Sequence, residues 1–233
     1  MTAERGVVVT GGAGALGRAV VAAFEAQGAR VAVIDVSDEV MTAAFAERAA
    51  ANLYLAADLT SRESCAQAVE TIGQQFGRID VLCNVAGGFL MGEPVHATSD
   101  KTWDFLFDLN ARSVLNMVSA VVPVMLAGGG GKIVNVAARA GLEGQANMGA
   151  YTASKAAVLR ITEAMAKELR EQRINVNCVM PSLIDTPRNR ADMPDADYSK
   201  WVAPADIASV ISFLASDAAR SVHGAAIPVD GLS

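Results

Sequence analysis

Histidine, cysteine and aromatic residues are scarce in this chain: 233 residues hold two His, three Cys and only 5% Phe, Trp and Tyr. Neither His96 nor His223 stands at ligand spacing from a carboxylate or a thiol, which argues against a zinc site. Cys65, Cys83 and Cys178 are odd in number, widely spaced and set in apolar or helical context. Buried free thiols are therefore expected, rather than a metal site or a disulfide framework. Charge is also sparse, at 19% of residues, with a net charge of −6 and no basic run. Nucleic acid or an anionic membrane is not expected as the main partner. No apolar run reads as long enough to cross a bilayer, because the most apolar stretch, 114–127, is interrupted by Asn116 and Pro123. The start, MTAERGVVVT, lacks the basic, apolar and cleavage segments of a signal peptide, so a cytoplasmic location is expected.

What is abundant is apolar sequence, at 52%, arranged as short strands alternating with amphipathic helices. Strands are expected over 6–10, 30–36, 52–57, 79–85, from Ile133 after the glycine run 128–131, over 174–180 and over 225–229. Between them fall helices ending near Gly28, spanning 61–77, spanning 100–127 with a kink at Pro123, running from Tyr151 to about Gln172, and spanning 204–215. This alternation predicts a single α/β domain over 1–233, a Rossmann-type doubly wound parallel sheet with helices on both faces. Ligands of such sheets bind beyond the carboxyl ends of the strands. Residues 182–203, polar and broken by Pro187 and Pro194, read as a mobile flap over that end.

The first strand runs into TGGAGALG, residues 10–17, and then into a helix. Gly12, Gly14 and Gly17 satisfy GxGxxG, and Gly11, Gly14 and Gly17 satisfy TGxxGxxG, with Ala15 and Leu16 opening the helix. In either register the backbone can approach a pyrophosphate, and the helix N-terminus faces its charge. A glycine turn that serves only packing is the competing reading. Asp35 lies 18 residues beyond Gly17 at the tip of the second strand, where an acid suits a ribose with free hydroxyls and repels a 2′-phosphate. Val36, Ser37 and Asp38 bring no cation, so NAD is expected over NADP, and NADH over NADPH. A helix cap in this segment suits Ser37 or Asp38 better than Asp35.

Tyr151 and Lys155 are four residues apart on a helix and so share a face. The ammonium could then lower the phenol pKa and ready it for proton transfer. Such a pair also arises by chance on any alanine-rich helix, so its surroundings decide. Asn110 sits mid-helix by an apolar stripe, where a buried amide needs hydrogen bonds; its role reads as structural, catalytic or both. Phe89, Leu90 and Met148, with flap residues, are candidates for the apolar walls of a substrate site or for plain core.

Six motifs stand in order: TGGAGALG, Asp58-Leu59, Asn84-Val85-Ala86-Gly87, Asn110, Tyr151-x-x-x-Lys155 and the run from Pro181 to Thr186. In that order and context the whole chain resembles the short-chain dehydrogenase/reductase family. The resemblance implies an oxidoreductase with NAD(P) as cofactor and Tyr151 as acid/base, with Lys155 as pKa modifier and ribose anchor. It implies that Asn110 holds a water in a proton relay and that Asp58, with Leu59, lies by the adenine. Asn84, Ala86, Gly87 and Pro181 would also line the cofactor, with Ile184 and Thr186 by the nicotinamide carboxamide. It further implies a small-molecule substrate and a homodimer or homotetramer paired through the two long helices. One departure matters: Ala138 stands where the family usually has a catalytic serine, whose loss typically costs about 10²- to 10³-fold in rate. Gln145 or Asn147 could bind a substrate oxygen instead. The glycine turn, VAGG, Ala138 and the flap also resemble the dihydropteridine reductase-like members. The expected reaction is therefore hydride transfer to an activated acceptor of quinonoid dihydropterin type. The alternatives are a general carbonyl or alcohol oxidoreductase, such as one like 3-oxoacyl reductases, or an NAD-binding protein without turnover.

Overall fold

Valine-rich runs form strands here because a parallel sheet is covered on both faces, a setting that suits branched apolar side chains. The computed structural model describes residues 4–232 apart from Ala46 and Arg48, so the first three residues of the N-terminal reading lie outside it. The strands are β1 (Gly6–Thr10), β2 (Arg30–Asp35), β3 (Leu53–Ala56), β4 (Val81–Asn84), β5 (Gly131–Val136), β6 (Ile174–Pro181) and β7 (Ala226–Val229). They form one sheet in the order β3-β2-β1-β4-β5-β6-β7, and every pairing is parallel. The helices are α1 (Ala15–Glu25), α2 (Asp38–Ala44), α3 (Arg62–Phe76), α4 (Asp100–Phe107), α5 (Ser113–Ala127), α6 (Gly149–Leu169), α7 (Pro187–Asp192) and α8 (Pro204–Leu214).

Alternate strand residues face opposite layers. Val9 and Val33 join Phe24 of α1 and Ile211 of α8 in one core. Val8, Leu82 and Ile133 join Ile72 of α3, Met117 of α5 and Met165 of α6 in the other. This is the expected doubly wound Rossmann-type α/β fold. The chain reverses its winding between β1 and β4, which are neighbours, so their carboxyl-end loops meet at the switch point.

Two expectations need correction. The helix expected over 100–127 is continuous, but its departure from α geometry is a π turn, Asp108–Arg112, centred on Asn110. Pro123 sits inside α5. By length and composition this composite helix, Asp100–Ala127, is long and apolar enough to cross a membrane, contrary to the sequence reading. Its apolar character serves packing, since Val114, Met117, Val118, Val121 and Met125 all lie in the core. Buried Asn116 is satisfied by donating to the Leu59 carbonyl at 2.9 Å. Residues 182–203 are folded by local bonds that apolar periodicity does not register. Ile184 bridges Val202, Arg190 pairs with Asp185 at 2.6 and 2.7 Å, and Trp201 and Val202 are buried.

Candidate functional site at the carboxyl ends of the strands

Thr10 ends β1, and its Oγ1 accepts from the amides of Val85 and Ala86 at 3.1 and 3.2 Å, tying the turn after β1 to the turn after β4. Gly11 is held at φ +61°, and a Cβ there would lie 2.7 Å from Ala86 Cα. A Cβ on Gly12 would lie 2.5 Å from Val33 Cγ1, and one on Gly17 only 2.1 Å from the Gly11 carbonyl. These three glycines are demanded by packing. Gly14 is different: a Cβ there meets nothing nearer than 3.3 Å, and the residue is the exposed N-cap of α1.

No side chain caps α1 and no acid stands in its first turn. By contrast Ser37, Ser61, Ser99 and Thr186 cap α2, α3, α4 and α7. The first amides of α1, those of Ala15 and Leu16 included, are thus left to an external anion. The side chain of Leu16 is in the core, so only its backbone could serve. Beside this turn Asp35 Oδ2 accepts from Ala13 N at 2.9 Å and Oδ1 from Val36 N at 2.8 Å. Asp35 is not the cap of α2; Ser37 is. Both carboxylate oxygens keep lone pairs for a ribose, and Val36 is largely exposed beside them. An open glycine N-cap with an acid at its flank fits a dinucleotide.

Several residues expected to touch the cofactor are otherwise engaged. Asn84 is buried and donates to Asn135 Oδ1 at 2.8 Å; Asn135 donates to Thr162 Oγ1 at 2.9 Å, and Thr162 to the Val158 carbonyl at 2.8 Å. That chain of amides joins β4, β5 and α6, so the Asn84 side chain is structural. Leu59 is buried in the core. Asp58 is exposed, and its bonds from the Thr60 hydroxyl and amide, at 2.7 and 2.9 Å, hold its carboxyl below the usual range. Pro181 ends β6, Ile184 packs against the core, and Thr186 Oγ1 accepts from Asn189 N at 3.1 Å.

Tyr151 and Lys155 lie in the first two turns of α6. The Phe89 ring meets Tyr151 edge-on, with centroids 4.9 Å apart. Burial pushes the Tyr151 phenol up to about 12. Lys155 is buried, its Nζ donates to the Val136 carbonyl at 3.0 Å, and desolvation brings it down to about 8. The expected lowering of the phenol by the lysine is thus not seen. Desolvation governs both groups, and the ammonium is directed at β5.

Gly87 sits between the two polar centres: a Cβ there would be 3.0 Å from Asn110 Oδ1 and 3.1 Å from Lys155 Nζ. Asn110 accepts from Gly88 N at 2.8 Å and donates to Gly88 O and to Ser154 Oγ, both at 3.0 Å. Its amide protons are both used, so the side chain clamps Gly88 to Ser154. Sequence reading missed Asn135, Ser154 and Thr162, which carry no motif of their own.

Ala138 is buried and brings no hydroxyl. Gln145 is exposed and paired with Glu143 at 3.0 Å. Asn147, held at φ +59°, lines with Tyr151, Met148 and Leu90 a cleft of about 120 Å³. No flap residue borders that cleft, and Phe89 contributes only its ring contact with Tyr151.

Residues 5–197 match the family model described as short chain dehydrogenase. A sorbitol dehydrogenase of Cereibacter sphaeroides is 37% identical over 82% of this chain and 75% of its own length. An NAD-dependent glycerol dehydrogenase of Listeria innocua is 32% identical over 98% of this chain and 93% of its own. Among solved structures, that of levodione reductase superposes with a TM-score of 0.89 at 29% identity, covering 97% of this chain and 96% of that one. The glycine turn, the Tyr151–Lys155 helix and these full-length likenesses agree: the chain belongs to the short-chain dehydrogenase family of oxidoreductases.

Proposed function

We propose that this chain is an NAD(H)-dependent oxidoreductase that interconverts a small alcohol or polyol and its carbonyl partner. The observation that carries this reading is the placement of Tyr151 and Lys155 on α6 beside a glycine turn whose α1 amides are uncapped and whose flank is Asp35. Gly14 and the α1 amides would hold the pyrophosphate, and Asp35 the adenosine ribose, which favours NADH over NADPH. When bound, the dinucleotide supplies or accepts a hydride. Tyr151 holds the proton that goes to, or comes from, the substrate oxygen. Burial opposes the phenolate, so Lys155 has to keep its charge for the proton to leave. With no hydroxyl at Ala138, the amide of Asn147 at the cleft wall is the donor proposed to hold the substrate oxygen.

The relatives named for sorbitol and glycerol support this general reading over a quinonoid dihydropterin acceptor. Ala138 alone favours the second: an electron-poor ring has less need of a donor aimed at a carbonyl oxygen. A homodimer or homotetramer belongs to the proposal, supported by exposed Trp103, Phe105 and Leu115 on α4 and α5. So does the cytoplasm, supported by three unpaired, buried cysteines.

The test is spectrophotometric: NAD⁺ and NADP⁺ reduction with a panel of polyols and cyclic alcohols, and NADH oxidation with ketoses and a quinonoid dihydropterin. Polyol turnover preferring NAD⁺, with kcat but not KM reduced by Tyr151→Phe, is expected. Turnover of the quinonoid compound alone would restore the second reading. Binding of NADH with no turnover on any arm would overturn both.

A further inference from the structure

A second cleft, of about 820 Å³, opens at the opposite edge of the sheet, among the amino ends of β1, β4, β5, β6 and β7. Its lining gathers Arg5, Arg78, Lys132, Arg170, Arg173 and Arg220, which is six of the 19 Lys and Arg in a chain of net charge −6. Two acids, Asp80 and Asp217, face them, and Asp80 is already paired with Arg78. Among the described residues, Arg170, Arg173 and Arg220 make no ion pair within 4.0 Å.

The Lys132 ammonium and the backbone at Arg173 and Arg220 are held in place. Lys132 Nζ donates to Asn175 Oδ1 at 2.6 Å, and that buried amide donates onward to the carbonyls of Arg220 and Val222 at 2.9 and 3.0 Å. Arg173 is kept at φ +60°, where glycine is the usual residue, and its carbonyl accepts from Gly131 N at 3.1 Å. Gly130, at φ +141°, lets the chain close on Arg173: a Cβ there would sit 2.7 Å from the Arg173 carbonyl. Burial holds Lys132 below the usual lysine range despite Asp217, with Arg5 adding repulsion. Like charges crowded in a concave wall focus a potential that a multivalent anion would relieve. No Phe, Trp or Tyr lines the cleft, so nothing there would stack a base.

We propose that this cleft binds a compact polyanion bearing two or more phosphate groups, at the end of the sheet remote from the dinucleotide turn. The volume suits such a ligand, and guanidinium groups pair bidentately with phosphate.

The experiment is calorimetric titration of the full-length protein with inorganic tripolyphosphate, with and without saturating NAD⁺, at low and moderate salt. One site per chain is expected, unaffected by NAD⁺ and weakened by salt. Affinity should fall at least tenfold in the Arg170→Ala/Arg220→Ala double variant, whose melting temperature and NAD⁺ binding should match the parent. ATP is expected to bind no tighter than tripolyphosphate. The proposal is overturned by absent binding, by equal affinity in the double variant, by displacement with NAD⁺, or by a tenfold preference for ATP.

Discussion

Asn110 Nδ2 lies 3.0 Å from Ser154 Oγ, and that hydroxyl donates in turn to the Tyr151 carbonyl at 2.8 Å. The π turn is thereby fastened to the helix that carries the acid/base pair. Replacing Asn110 by Leu strands both the amide and the carbonyl of Gly88, and should cost about 2–4 kcal/mol. Ser154→Ala removes one acceptor and should cost about 1 kcal/mol. Urea unfolding checks both, and an Asn110→Leu variant as stable as the parent would refute the clamp.

Lys155 makes stability depend on pH in a predictable direction. Unfolded, it keeps its proton to about 10.5; folded, burial releases it near 8. Between those values the unfolded chain binds more protons, so stability rises with pH through that window and the burial penalty is fully present below it. Lys155→Met removes the penalty, of order 3 kcal/mol before the loss of the Val136 bond is deducted. Denaturation of the cofactor-free protein should show the variant more stable at pH 7, with the gap narrowing from pH 8 to 10.5. A gap independent of pH would mean that burial does not lower the lysine's pKa.

The glycines of the first turn should separate by role. Gly17→Ala places a carbon 2.1 Å from a backbone oxygen that cannot move freely, so loss of the fold is expected. Gly14→Ala meets only a 3.3 Å contact and should fold with a melting temperature within a few degrees of the parent. Its methyl stands at the mouth of α1, however, and NADH affinity measured by fluorescence should drop severalfold.

Ala138→Ser is a gain-of-function prediction. One hydroxyl added at this buried position should raise kcat/KM for alcohols and ketones about 10- to 100-fold. Steady-state kinetics of Ala138→Ser, Asn147→Ala and their combination would decide which donor serves. An unchanged rate in Ala138→Ser together with a large loss in Asn147→Ala would show that Asn147 already fills the role.

Local spacing made much of this molecule readable. A glycine turn between a strand and a helix, and a tyrosine one helical turn from a lysine, are patterns within eight residues, and both fall where the fold puts ligands. The amide chain from Asn84 through Asn135 to Thr162 was not readable, because its members meet only when β4, β5 and α6 pack. Asn84 was therefore assigned to the cofactor rather than to the interior. The folded state of the segment after β6 was equally hidden, since Thr186, Asp185 and Arg190 stabilise it with polar bonds that leave no apolar rhythm. The arginine-lined cleft is the clearest case. Positions 5, 78, 132, 170, 173 and 220 form no basic run, and they converge only because a parallel sheet brings every strand's amino end to one edge.

The π turn sets the phase of a helix. Five residues, Asp108–Arg112, take the i+5 pattern, with Ser113 N bonded to Asp108 O, so the turn holds one residue more than an α-helical turn. Deleting Ala111 would return the segment to about 3.6 residues per turn and rotate α4 by roughly 100° against α5. The stacked rings of Trp103 and Phe107, 4.3 Å apart, would swing off the face they share, and Leu106 would leave the core. A single inserted residue thus acts as an indexing step, letting one continuous rod point its first half and its second half at different neighbours.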